Sequence, residues 1–427
     1  MTNSLPRSVL YIGHVWPEPS SSAAGYRTIE LINAFIENHF KVSFCSAATK
    51  NEFSENLRNF RIDSYPIELN SHQFNELLAK LQPDIVIFDR FMTEEQYAWR
   101  VDEVVPNALK ILDTIDLHFL RRTRQTAHKK YLHTSPNEIQ VGLEHLNLQT
   151  EDAIREIAAI LRCDLSLIIS SFEYELLISH FNINPDLLTY CPFMLKHSET
   201  NSTDQVNVFE KRKDFIQIGN FLHAPNWDAL LWTKQMLWPK IRKTLPQSEC
   251  HIYGAYCSDK VKQLHDEKNA FLIKGRAYQL PDLMKKYRVN LAPLRFGAGI
   301  KGKIADGYIN GLPNVTTSIG AEGMCGTLNW GGIIADNANS FIEGAIVLYQ
   351  NKLKWTKAQQ DGFKCIATIH NEKKVKAELI SKVNQIFYQL KAHRQANFLG
   401  TMLNYHTNQR TKYMSRWIEE KNKNQMD

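Results

Sequence analysis

Residues 289–324 read VNLAPLRFGAGIKGKIADGYINGLPNVTTSIGAEGM. An apolar run with a proline, VNLAPL, predicts a strand. It leads into a loop, Gly297-Ala298-Gly299-Ile300-Lys301-Gly302-Lys303, and then a helical segment. That segment stops at Asn310-Gly311-Leu312-Pro313, where Gly followed by Pro ends a helix. Val315-Thr316-Thr317 predicts the next strand. A glycine loop feeding a helix N-terminus suits phosphate, because free backbone N–H groups and the helix dipole both favour an anion. Two lysines in the loop strengthen that expectation.

Working outward, 427 residues are enough for two domains with cores of their own. A composition 43% hydrophobic and 22% charged is that of a globular protein. No run of about 18 apolar residues predicts a membrane span, and the N-terminus carries no signal-peptide pattern. The seven cysteines are scattered without a Cys-x-x-Cys pair. This points to reduced thiols and a cytoplasmic protein, not a disulfide frame or a zinc site. The net charge of +6 fits an anionic ligand and argues only weakly for nucleic acid.

In residues 1 to about 195, strand-like SVLYIGHVW, KVSFCSA, DIVIFDRF, ALKILDTIDLH and LSLIISS alternate with helical stretches such as 25–38 and 144–162. After a polar segment at 197–214, a second series follows: DFIQIGNF, CHIYGAY, AFLIKG, VNLAPL and NVTTS. Strands alternating with helices indicate parallel α/β sheets. The expectation is two lobes facing each other across a cleft, with ligands at the carboxyl ends of the strands. The stretch after about residue 390 reads as a helical tail with a basic end.

Three phosphate ligands compete for the loop. Gly297, Gly299 and Gly302 satisfy G-x-G-x-x-G, and Glu322 lies twenty residues beyond Gly302. Taken alone this is a dinucleotide fingerprint, which makes an NAD(P)-dependent oxidoreductase one alternative. Gly297 to Lys303 also approaches a Walker A loop, but Ile304 stands where the magnesium-binding Ser or Thr belongs. The whole stretch, F-G-A-G-I-K-G-K-I through Gly311-Leu312-Pro313 to G-A-E-G-M, resembles the donor-binding region of family 4 glycosyltransferases. Ile218-Gly219-Asn220-Phe221, His223, Pro225-Asn226, Asp228-Ala229, Ile252-Tyr253-Gly254 and Lys274-Gly275 resemble the same family's C-terminal domain. Pro19-Ser20, Ala24-Gly25-Tyr26-Arg27 and Asp113-Thr114 through Asp116-Leu117-His118 resemble its N-terminal domain.

The resemblance implies a GT-B fold: a Rossmann-like acceptor domain at 1–200, a Rossmann-like donor domain at 201–390, and a tail at 391–427 that packs back on the first. It implies a hexosyltransferase-type enzyme that uses a nucleotide-diphosphate sugar, retains anomeric configuration and needs no metal or covalent cofactor. The acceptor stays open among saccharide, lipid-linked, protein and nucleic-acid classes. A peripheral contact with the inner membrane face is compatible with the basic cluster Arg121, Arg122, Arg124, Lys129 and Lys130, which equally fits a solvated face.

For the donor the implied residues are Gly25, Gly219, Asn220, Arg276, Arg295, Gly297, Gly299, Ile300, Lys301, Gly302, Lys303, Asp306 and Glu322. Lys301 and Lys303, with the Gly299–Gly302 amides, are expected on the diphosphate. His118 is expected on the transferred sugar, with Asp113 orienting it or accepting from the acceptor hydroxyl. His14 is a further candidate on the cleft. The family's Glu-x7-Glu pair is incomplete, since Ala298 takes the first position and Asp306 the second. Asn220 stands where an arginine is common. Those departures keep an inactive GT-B scaffold as a second alternative.

Overall fold

The computed structural model describes residues 6–131, 142–196 and 209–423. Residues 197–208 of the expected linker and 424–427 of the tail lie outside the described residues. The first sheet is built from β1 (Ser8–Gly13), β2 (Lys41–Ser46), β3 (Asp63–Pro66), β4 (Ile85–Asp89), β5 (Leu109–Asp113), β6 (Leu165–Ile168) and β7 (Leu188–Tyr190). Its order is β3-β2-β1-β4-β5-β6-β7, and every pairing is parallel.

The second sheet comprises β8 (Lys213–Ile218), β9 (Cys250–Tyr253), β10 (Phe271–Gly275), β11 (Tyr287–Ala292), β12 (Asn314–Thr316) and β13 (Gly332–Ile334). It is also wholly parallel, in the order β10-β9-β8-β11-β12-β13. This is the two-domain Rossmann-like architecture of a GT-B fold.

Parallel strands must be covered on both faces, and the apolar runs of β1 and β4 follow from that. Val9, Tyr11 and Ile87 pack with Ile32 and Phe35 of the helix Ala23–Glu37. Leu10, Ile12 and Phe88 pack on the other face with Phe91 and Val101 of the helix Arg90–Val104 and Ile160 of the helix Glu151–Arg162. Each such fully buried aliphatic or aromatic side chain contributes roughly 1.5–3 kcal/mol.

One boundary differs from expectation. The helix Glu372–Tyr388 belongs to the first lobe, because Val375, Leu379, Val383 and Ile386 share the core of Val9 and Phe35. Their spacing is one face of a helix, and the chain therefore crosses back near residue 370, not at 390. The helix Phe398–Lys423 continues on that lobe against the helices Arg90–Val104 and Glu151–Arg162. No helix of the described residues is long and apolar enough to cross a membrane.

Strand order reverses between β1 and β4 in one sheet and between β8 and β11 in the other. Crevices at the carboxyl ends of such strands are where α/β sheets bind ligands. The chain beyond β1 and β4 and the chain beyond β8 and β11 line one shared cavity.

Candidate functional site

The cleft encloses about 800 Å³. From the second lobe it receives Gly219, Asn220, His223, Arg276 and the whole loop from Phe296 to Lys303, with Asp306. From the first lobe it receives His14, Ser20 to Ala24, Tyr26, Arg90, Asp116, His118 and Arg121.

The loop leaves β11 and enters the helix Gly302–Ile309. Gly297 has φ +156° and Gly299 φ +65°, backbone that a side chain disfavours. Gly299 also faces the other lobe, where a Cβ would come 2.9 Å from Asp116 Cβ. At Gly302 an added Cβ would lie 2.9 Å from Ala23 Cβ. The lobes meet at these two glycines.

Lys301 is 8% exposed and its Nζ donates to Gly299 O at 2.6 Å. Burial pulls its pKa down. Lys303 Nζ donates to Asn226 Oδ1 at 2.6 Å and has no carboxylate partner among the described residues. Burial, then the neighbouring Lys301 charge, pushes Lys303 down to about 7. Two desolvated ammonium groups at a helix N-terminus form a site of strong positive potential. Asp306, one turn into that helix, is pushed up to about 7 by burial.

On the first lobe, His118 opens the helix His118–Tyr131 directly after β5. Its backbone N–H and that of Phe119 donate to Glu156 at 3.2 and 3.0 Å. The His118 ring meets Phe91 edge-on. His118 Nε2 lies 3.2 Å from Asp116 Oδ1, yet it is buried without a properly aligned hydrogen bond. Burial pushes His118 down to about 4, so the imidazole is neutral at ordinary pH.

Several expected roles are corrected by this geometry. Asp113 is fully buried, 2.8 Å from Arg27 Nε and 3.4 Å from Tyr11 Oη. It neither touches His118 nor reaches the cleft; Asp116 is the carboxylate beside that ring. Arg295 is held by Asp228 through two bonds of 2.9 and 2.6 Å and does not line the cavity. Glu322 is bound by Arg124 in a fork of 2.8 and 2.8 Å, so it is half of a contact between lobes, not a reader of hydroxyls. The amide of Gly299 donates to Glu173 Oε1 at 2.6 Å and is not open to a phosphate. Gly25 faces the backbone of Glu18, where a Cβ would clash at 2.4 Å, and shapes the loop behind the cavity wall.

Other expectations find their place. Gly219, Asn220, Gly297, Ile300, Lys301, Gly302, Lys303, Asp306 and His118 all line the cleft. Gly219 admits the side chain of Asn226, whose Nδ2 donates to Asn220 O at 2.9 Å. Arg276 reaches across the cleft to Ser20 Oγ at 2.7 Å and stacks over Phe53. The basic cluster dissolves into separate pairs: Arg121 with Asp116, Arg122 with Asp152, and Arg124 with Glu322 and Gly297 O.

Sequence reasoning passed over Arg90, Glu173 and, as site residues, Asp116, Arg121, His223 and Asn226. His223 lines the cavity and is pushed down to about 4 by burial and then by Arg121. Its position in the FLHAPN turn was a readable signal; for Glu173, inside an ordinary helix, there was none.

Comparison with known proteins places the second lobe. Residues 212–351 match the family model described as glycosyl transferases group 1. No curated protein matches the chain. Among solved structures, a glycosyltransferase from Rickettsia africae is 13% identical with a TM-score of 0.61, over 90% of this chain and 98% of that one. Sucrose-phosphate synthase from Thermosynechococcus elongatus is 12% identical with a TM-score of 0.64, over 90% and 99% of the two chains. Anabaena HepE, in complex with UDP and glucose, is 12% identical with a TM-score of 0.63, over 89% and 100%. At such identities these structures are similar to this chain in fold.

Proposed function

We propose that this chain transfers a sugar from a nucleotide-diphosphate donor to an acceptor, with retention and without a metal, the second lobe holding the donor and the first the acceptor. One observation carries the reading. Lys301 stands buried and Lys303 half-buried at the N-terminus of the helix Gly302–Ile309, and Lys303 has no carboxylate partner among the described residues. Cations so desolvated are destabilised until an anion arrives, and a diphosphate supplies its charge where donor cleavage places it. The group 1 match over 212–351 and the UDP held by Anabaena HepE support the same ligand class.

In this reading the lysines bind the two phosphates and stabilise the leaving charge. The carboxylate of Asp306 accepts from ribose hydroxyls in place of the family's longer glutamate. The neutral His118 exchanges a hydrogen bond with a hydroxyl of the transferred sugar. The anomeric C–O bond to the phosphate breaks and the acceptor oxygen bonds to the same carbon. The acceptor's proton leaves with a phosphate oxygen. Closure of the lobes over Gly299 and Gly302 excludes water that would otherwise intercept the donor.

The dinucleotide alternative loses support from topology. Its glycine fingerprint follows the first strand of a Rossmann unit, whereas this loop follows β11, the fourth strand of its sheet in chain order. A thermal-shift panel of UDP-, GDP- and ADP-sugars against NAD and NADP separates the two. Stabilisation by a sugar nucleotide alone is expected; stabilisation by the dinucleotides alone overturns the proposal.

A further inference from the structure

β4 ends at Asp89, and the chain enters the helix Arg90–Val104 with Arg90 at φ +69°. Left-handed backbone costs a residue with a long side chain about 1–2 kcal/mol, and such strain gathers where a site needs the group it delivers. What it delivers here is a guanidinium that lines the cleft, 14% exposed. Its ionic contact is loose, 3.5 Å to Asp89. That carboxylate already accepts from His14 N at 2.9 Å. Among the described residues the Arg90 guanidinium makes no hydrogen bond, although it has five N–H donors.

Arg121 comes from the helix His118–Tyr131 to the same wall. Asp116 holds its Nε at 2.7 Å, and among the described residues neither terminal nitrogen makes a hydrogen bond. Both guanidiniums act on His118, and Arg90 also acts on His14. They line the cavity with the ring assigned to the transferred sugar, on the lobe opposite Lys301 and Lys303.

We propose that Arg90 and Arg121 form an oxyanion seat on the acceptor wall, and that the acceptor carries a phosphate group near its accepting hydroxyl. The inference rests on the reading of the cleft as a glycosyl-transfer site. Planar guanidinium forks bind such oxyanions in pairs of parallel hydrogen bonds, which orients an acceptor as well as attracting it. A soluble sugar phosphate and a phospholipid headgroup offer the same chemistry.

The test is calorimetric titration of inorganic phosphate into the full chain already saturated with whichever of UDP, GDP and ADP binds most tightly, so that the donor phosphate site is filled. Arg90→Gly is the decisive variant, because glycine suits φ +69° while removing the guanidinium. The expected result is a saturable phosphate site in the wild type that weakens roughly tenfold or more in Arg90→Gly and in Arg121→Gln. The melting temperature of Arg90→Gly is expected to be equal or higher. Absence of phosphate binding in the nucleotide-saturated wild type, or equal affinity in Arg90→Gly, overturns the seat. Failure of all three nucleotides to bind overturns the glycosyl-transfer reading itself, and the seat with it. Displacement of phosphate by glucose 6-phosphate assigns a soluble ester, and displacement by phosphatidylglycerol vesicles a lipid headgroup; displacement by neither overturns the proposal.

Discussion

Asp113 and Asp116 stand three residues apart at the end of β5 and meet different partners. Asp113 is sealed against Arg27, with the first lobe's core around it, while Asp116 sits on the cleft between His118 and Arg121. Removing one member of a buried pair leaves the other charge without compensation. Asp113→Asn is therefore expected to lower unfolding free energy by about 3–5 kcal/mol, read from the urea midpoint at unchanged slope; a loss below about 1 kcal/mol would contradict a structural pair.

Lys303 gives the pH dependence. Its pKa of about 7 in the free protein must rise when a diphosphate binds, so binding takes up a proton above pH 7. Affinity for the nucleotide diphosphate is then expected to fall as pH rises from 7 to 9, by up to about tenfold per unit. Asp306 ionises over the same range and opposes the fall, so the comparison to make is wild type against Lys303→Met. The variant should bind more weakly at pH 7 and lose the downward slope.

The lysines, Asp306 and His118 were legible because each sits inside a local pattern, a glycine loop or a strand end. The partners of Glu322 and Arg295 were not. Arg124 lies 198 positions from Glu322, and no periodicity encodes which distant charge a carboxylate meets once the chain is folded.

At the scale of elements, the strands with five or six buried residues, such as β1 and β4, and the strand–loop–helix from β11 onward were readable from apolar runs and glycine signals. The short edge strands β3, β7 and β13 were not, since each buries at most one residue and no apolar run marks it. The return of the helix Glu372–Tyr388 to the first lobe was equally hidden, because its apolar face does not say which sheet it will cover.

The loop itself makes an element-level prediction. Gly302→Ala places a methyl 2.9 Å from Ala23 Cβ and must hold the lobes apart. Weaker nucleotide-sugar binding is expected with little change in melting temperature, and Ala23→Gly in the same chain should restore part of the loss. Equal affinity of the single variant, measured by calorimetry, would show that the lobes need not approach at this point.

Across the whole molecule, one set of polar links between the lobes lies on the cleft's flank. Arg124 grips Glu322 and Gly297 O, His128 lies 3.3 Å from Asp228, and Glu173 accepts from the Gly299 amide. Arg124→Ala should loosen this closed arrangement. The radius of gyration from solution scattering is expected to rise in the free variant and to return toward the wild-type value with bound nucleotide. A double-mutant cycle with Glu322→Ala should report a coupling of about 0.5–3 kcal/mol.

Above these contacts stands the claim that the second lobe grips a nucleotide diphosphate through Lys301 and Lys303. Calorimetric titration of UDP, GDP and ADP into the wild type and into the Lys301→Ala/Lys303→Ala double variant tests it most directly. At least one nucleotide is expected to bind the wild type, and its binding to be lost in a double variant that remains folded; unchanged affinity in that variant would contradict a lysine-held diphosphate.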